Sequence, residues 1–195
     1  MPPIPPITQF LMLGCTAIFC LQIFTPIAAW FALYPVTSPY FWPWQLLTYA
    51  FLHADPLHLF FNMLGLWMFG AELEMLWGRK RYMTFLAIGA VFGGLTYVLI
   101  SLIPQFGNSS LVGASGALYA LLMATAMYFP DRTIMPLFPP IPMKMKVFVV
   151  VFGAISLLLG LGGGLGSFAH LGGMLGGFLT VRYWRGLPPF GKRRR

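Results

Sequence analysis

The chain has 195 residues, of which 58% belong to the apolar set AVILMFWYC and 8% are charged, against roughly 25% charged in an ordinary soluble domain. Twelve Lys and Arg against four Asp and Glu give a formal charge of +8, too few charged side chains to cover a 21.7 kDa body with a water-facing surface. A soluble domain is excluded, and so is a nucleic-acid-binding module, because the basic residues gather in clusters between apolar runs instead of interleaving with polar ones on one face.

No Asp, Glu, Lys or Arg occurs from Met1 to Ala54 or from Tyr82 to Pro130. One membrane span takes about 20 apolar residues, so these runs are long enough for more than one element. The N-terminus lacks the basic segment of a signal peptide, and its apolar run continues past any cleavage site. Residues 10–33 are therefore expected as a retained first span, closed by Pro35 and Pro39. Cys15 and Cys20 fall inside it with no metal-ligand spacing. A second span is expected over 56–77, stopped by Glu72, Glu74 and Arg79-Lys80-Arg81. Third and fourth spans over 82–103 and 114–129 are divided by Pro104-Gln105-Phe106-Gly107-Asn108-Ser109-Ser110. Pro130 to Pro142, with five prolines, reads as a loop.

The last apolar run, Val147 to Val181, has a glycine-rich middle from Gly160 to Gly166. Read as one helix, it leaves the basic C-terminus on the opposite side from Arg79-Lys80-Arg81. Read as two, over 147–163 and 168–184, it puts all twelve basic residues on one side, as the positive-inside rule requires. The expected fold is an all-α membrane protein: a single membrane domain over 1–195, a polytopic bundle of six transmembrane helices, with both termini cytoplasmic. Residues 185–195 form a basic cytoplasmic tail at the lipid headgroups. The glycine-rich segment is either a mobile part of a substrate gate or a tight hairpin.

This topology sets His58, Ser115 and His170 at the outer ends of the second, fourth and sixth spans, at one depth. Asn62 lies one turn from His58 on the same helix face. Polar side chains in hydrocarbon are costly and mark either function or a helix–helix contact. Gly113-Ala114-Ser115-Gly116 opens a short helix, so the Ser115 N–H lies at a positive helix terminus that favours an anion. On the sixth span, Gly173 and Gly177 follow His170 at i+3 and i+7. That bare face matches Gly116, Ala117 and Ala120 on the fourth span, so the two helices can approach closely enough for a Ser115–His170 hydrogen bond. Serine chemistry needs a base and oxyanion donors; His170 fits the first, and His58, Asn62 and the Ser115 N–H fit the second. No carboxylate is available to orient the imidazole, so a Ser-His dyad is expected. No His-Glu-x-x-His sequence supports a zinc protease, and no paired aspartates lie within the spans.

These residues resemble the rhomboid family of intramembrane serine proteases. The resemblance runs from about Trp44 to Phe178 and rests on three motifs. They are His58-Leu59-Phe60-Phe61-Asn62, Gly113-Ala114-Ser115-Gly116, and Ala169-His170-Leu171-Gly172-Gly173 with Gly177. It implies Ser115 as nucleophile and His170 as general base, with oxyanion stabilisation from His58, Asn62, Gly113 and the Ser115 amide. It further implies that Tyr119 packs on His170 and that His53, Glu74, Gly173 and Gly177 are supporting positions. In the family's first outer loop a Trp-Arg pair is frequent; here Trp44-Gln45 stands in its place, which puts the hydrogen bonding of that loop in question.

The resemblance implies a minimal six-helix form with no cytosolic domain and no seventh span, set in a bacterial inner membrane. Its partners would be transmembrane protein substrates and the lipid bilayer; no cofactor, metal or nucleic acid is expected. Two other readings are weaker. A catalytically dead relative would be expected to lack Ser115 or His170, and a transporter or channel would need polar residues through the full membrane depth, not gathered near one face.

Overall fold

Prolines and glycines set most of the helix ends. The computed structural model describes residues 4–106, 109–137 and 140–190. Gly107 and Asn108 of the polar break, and Lys192 to Arg195 of the basic tail, lie outside the described residues.

Helix α1 is Pro6–Phe24, opened by a proline in its first turn, where the missing N–H costs nothing. It stops ahead of Pro26, because a residue before proline is pushed out of the helical region; Thr25 is extended at φ −140°, ψ 149°. The expected first span of 10–33 is corrected accordingly: Pro26, not Pro35, closes the helix, and a separate turn, Ala28–Phe31, follows. Helix α2 is Pro56–Trp77, with one π-helical stretch at Leu66–Gly70 and a stop at Gly78, whose φ of 75° suits glycine. Helix α3, Arg79–Ser101, begins directly after that glycine, so the basic triplet forms its first turn instead of preceding it. Helix α4 is Ser115–Tyr128, α5 is Met145–Leu161 and α6 is Leu165–Trp184.

The loop between α4 and α5 departs from an all-helical reading on a small scale. Strands β1, Thr133–Ile134, and β2, Met143–Lys144, pair antiparallel with Thr133 opposite Lys144. Arg132 donates both guanidinium arms to Glu72 at the end of α2. Asp131 accepts from Lys146 at 2.8 Å and from Lys144 at 3.4 Å, and these bonds hold its carboxyl below the ordinary range. Between α5 and α6 the glycine-rich stretch makes a tight hairpin. A Cβ on Gly160 would lie 2.9 Å from the Phe168 ring, and Gly163 turns at φ 100°.

Apolar side chains are turned outward as well as inward: Phe10, Phe24, Leu99 and Leu158 are exposed, whereas the polar Gln45, His53, Asn62 and Glu74 are buried. Three helices, α1, α2 and α3, are long and apolar enough to cross a membrane. This is an integral, all-α membrane protein.

Helix α6 lies between α3 and α4 and makes its closest contacts with them. Two glycine stripes explain the fit. Gly172 and Gly176 face α3, where an added Cβ would meet Thr96 Oγ1 at 2.2 Å and Phe92 Cβ at 2.7 Å respectively. Gly173 and Gly177 face α4, where it would meet Gly116 O at 1.9 Å and Ala120 O at 2.7 Å. The sequence reading anticipates the second stripe and misses the first, which shows only when α3 is placed. Gly173→Ala is expected to lower the thermal unfolding midpoint by several degrees, since overpacking a well-packed contact costs about 1–3 kcal/mol. Gly14→Ala, where nothing lies within 4 Å, should leave the midpoint unchanged; circular dichroism melts in one detergent compare the two.

Candidate active site

The α4–α6 contact brings the start of α4 against the first turns of α6. Ser115 Oγ lies 2.9 Å from His170 Nε2. The residues are 55 apart in sequence, and the distance is that of a hydrogen bond in which a serine can hand its proton to an imidazole. As the first residue of α4, Ser115 has a backbone N–H with no carbonyl one turn back, free to face an anion.

Helix α2 supplies the next two groups. Asp55 caps it by accepting from His58 N at 2.8 Å, which fixes the turn that carries the His58 ring. His58 Nδ1 accepts weakly from Ala54 N at 3.4 Å, leaving Nε2 as the N–H donor. Asn62 Nδ2 donates to His58 O at 2.9 Å, using one of its two hydrogens. Both side chains converge on Gly113, where a Cβ would lie 2.6 Å from His58 Cε1 and 3.8 Å from Asn62 Nδ2. The φ of 121° at Gly113 suits glycine for the same reason of space.

The N–H of Gly113, for which the sequence reading expects an oxyanion role, is donated to Tyr49 O at 3.0 Å. Gly113 contributes backbone without a side chain, letting His58 and Asn62 close in. The segment leading to Ser115 is pinned further by a two-way bridge, Leu33 N to Leu111 O at 3.0 Å and Leu111 N to Leu33 O at 2.8 Å.

Tyr119, one turn below Ser115, stacks flat on His170 with ring centroids 4.2 Å apart and planes 5° from parallel. The Nδ1 of His170 faces Ser156 Oγ on α5 at 3.2 Å. Sequence reading misses Ser156, although a signal was present: it is the one hydroxyl within the apolar run of α5. His53 packs its ring edge-on against His58, centroids 5.3 Å apart. Its backbone exchanges two hydrogen bonds with the Gln22 side chain, each 3.1 Å long.

Other expected supporting residues sit elsewhere. Glu74 lies sixteen residues beyond His58 on α2, about 24 Å along the axis. There it caps α1, accepting from Ile7 N at 2.9 Å, Thr8 N at 2.7 Å and Thr8 Oγ1 at 2.9 Å. Gly173 and Gly177 act through the helix contact described above. Gln45 holds the loop between α1 and α2 together. Its amide donates to Tyr40 O at 2.9 Å and Trp30 O at 3.2 Å, and its carbonyl accepts from Trp42 N at 3.1 Å.

Ser115, His170, His58, Asn62 and Tyr119 line one cavity of about 490 Å³, within the range of small-ligand and catalytic pockets. Its remaining wall comes from α2, α5 and the β1 loop, including Met68, Phe69, Phe148, Phe152 and Met135. A second cavity of about 220 Å³, walled by Leu11, Cys15, Leu66 and Leu118, is apolar and holds none of these groups.

The fold and this site define a helical membrane protein with a hydrogen-bonded serine and histidine at the wall of a mostly apolar cavity. A family model described as the rhomboid domain matches residues 41–186, and the chain belongs to the rhomboid family. Its relatives include the rhomboid protease GlpG of Yersinia pestis (strain Pestoides F) and that of Yersinia pseudotuberculosis (serotype O:3, strain YPIII). The protein of the same name from Yersinia enterocolitica (serotype O:8 / biotype 1B) is a third. Each is 28% identical over 185 residues, covering 92% of this chain and 62% of its own length. The chain thus spans about three fifths of the length of the curated relatives it matches.

The Glu74 cap can be tested apart from any activity. Glu74→Gln sets an amide NH2 against backbone N–H donors and removes a charge-assisted acceptor, a loss of about 1.5–3 kcal/mol at that end. Amide hydrogen exchange at Ile7 and Thr8 should accelerate at least about tenfold, while exchange within α4 and α6 stays as in the wild type.

Proposed function

We propose that this protein is an intramembrane serine endopeptidase that cleaves peptide bonds in or near the transmembrane segments of membrane-protein substrates. The observation that carries the proposal is the 2.9 Å contact between Ser115 Oγ and His170 Nε2 on a cavity wall shared with His58 and Asn62. Family membership and relatives named rhomboid proteases support it.

In this reading Ser115 Oγ attacks the scissile carbonyl while its proton passes to His170 Nε2. The carbonyl oxygen becomes an oxyanion, met by His58 Nε2–H, the free Asn62 Nδ2–H and the Ser115 N–H. His170 then delivers its proton to the departing amine, leaving an acyl-serine. Water deprotonated by the same imidazole hydrolyses that ester and restores Ser115. The cavity is mostly apolar, so water outside it does not compete for these donors.

The six long helices are read as six spans of a single rhomboid-like domain, with both termini cytoplasmic, in a bacterial inner membrane. Helix α4, with 14 residues, rises about 21 Å, less than the ~30 Å of hydrocarbon. Its Ser115 end therefore lies below the outer surface, and substrate and water reach it from that side. A substrate helix must unwind locally, because an intact helix buries its carbonyls in its own hydrogen bonds.

Ser115→Ala and His170→Ala are each expected to reduce cleavage of a model single-span substrate by at least about 10³-fold. Labelling by a fluorophosphonate probe should be lost in Ser115→Ala. Wild-type cleavage by either variant, or absence of labelling of the folded wild type, contradicts the proposal.

A further inference from the structure

Among the described residues, the polar atom nearest His170 Nδ1 comes from a helix the sequence motifs do not include. Ser156 on α5 is 1% exposed; its Oγ lies 3.2 Å from His170 Nδ1 and donates to Tyr119 OH at 3.1 Å. Six threonines in this fold behave otherwise. Thr16, Thr25, Thr84, Thr96, Thr125 and Thr180 each bond back to the carbonyl four residues earlier in their own helix, the usual way to satisfy a hydroxyl in an apolar helix. Ser156 instead reaches across to two other helices.

The proton transfer asked of Ser115 selects one form of the imidazole. For Ser115 to give its proton to Nε2, that nitrogen must carry the lone pair and Nδ1 must carry the hydrogen. Nδ1–H then needs an acceptor. Ser156 Oγ, 3.2 Å away, is in place to be that acceptor, and its one hydrogen is then free to go to Tyr119 OH at 3.1 Å. Were Ser156 to donate to Nδ1, the other tautomer would follow, with Nε2–H pointing at Ser115 and unable to take its proton. The Tyr119 ring, stacked 4.2 Å from His170, keeps the imidazole from turning.

We infer that Ser156 is a positioning residue, which together with Tyr119 holds His170 in the Nδ1–H tautomer and so fills the place a carboxylate takes in a triad. This rests on the proposed serine-hydrolase reading and deepens it. The apolar setting accounts for the residue type. Ile155, Leu157, Leu158 and Leu159 surround Ser156 in sequence, and an unpaired carboxylate there would bear a large desolvation cost, whereas a hydroxyl is satisfied by two neutral hydrogen bonds. A neutral acceptor holds the ring more weakly than a carboxylate, so its loss costs less than the roughly 10⁴-fold seen when a triad aspartate loses its charge.

The test uses the full chain in detergent or lipid with ¹⁵N-labelled histidine; with three histidines the ring signals can be assigned by substitution. In the wild type His170 should show a protonated Nδ1 and an unprotonated Nε2. Ser156→Ala should shift the population toward Nε2–H and lower kcat about tenfold with KM unchanged, the rate equivalent of one neutral hydrogen bond. Ser156→Thr, which keeps the hydroxyl, should recover most of the rate. If Ser156→Ala does not fold, Tyr119→Phe carries the test: it keeps the stacked ring, removes the acceptor of the Ser156 proton and should produce the same tautomer shift. A wild-type His170 already in the Nε2–H form, or unchanged tautomer and kcat in these variants, overturns the inference. Ser115→Ala separates the two ideas: if it cleaves normally, the proposed function fails regardless of tautomer, whereas an inactive Ser115→Ala beside a fully active Ser156→Ala defeats only the role of Ser156.

Discussion

The structure depends on how closely α6 can approach its two neighbours. With no hydrophobic drive between helices in lipid, contact must come from surfaces smooth enough for backbones to touch. Gly173 lies so near Gly116 that a methyl group would sit 1.9 Å from its carbonyl oxygen. Because Gly116 is the residue after Ser115, and Gly173 is three after His170, that backbone contact also sets the serine–histidine separation. The bare faces of α4 and α6 and the 2.9 Å hydrogen bond are one feature described twice.

The remaining polar groups are arranged so that few are left without partners in an apolar body. Gln45 satisfies the backbone of the loop between α1 and α2, Glu74 satisfies the open end of α1, and Tyr49 ties α3 to the segment ahead of Ser115 through Ala90 O at 2.8 Å and Gly113 N at 3.0 Å. The Glu74 and Tyr49 bonds join segments distant in sequence. Of these, the Tyr49 bonds bear directly on the segment ahead of Ser115, while Glu74 and Gln45 brace α1 and the loop that follows it. Functional side chains carried on braced helices hold their geometry better than side chains on free loops.

Much of this was readable from the sequence because membrane chains punish polar residues that have no task. His58, Asn62, Ser115 and His170 stood out against apolar runs, and the i+3, i+7 glycines after His170 pointed to the α4–α6 contact. Three things were not readable. The end of α1 ahead of Pro26 falls inside an apolar run that composition alone carries on to Leu33. The engagement of the Gly113 N–H by Tyr49 O depends on where the loop between α1 and α2 folds back, which no local pattern encodes. Ser156 is absent from the sequence reading, because which side of α5 meets α6 is decided by Gly153, Gly160 and their partners Met174 and Phe168, not by any amphipathic stripe.

The account is tested most directly by an experimental structure, in lipid, of the protein after reaction with a fluorophosphonate. The phosphorus should be bonded to Ser115 Oγ, with its oxygen within about 3 Å of His58 Nε2, Asn62 Nδ2 and the Ser115 N–H and His170 still beside the serine. Phosphorus on another residue, or an adduct oxygen facing away from all three donors with His170 removed to a different depth, would contradict it.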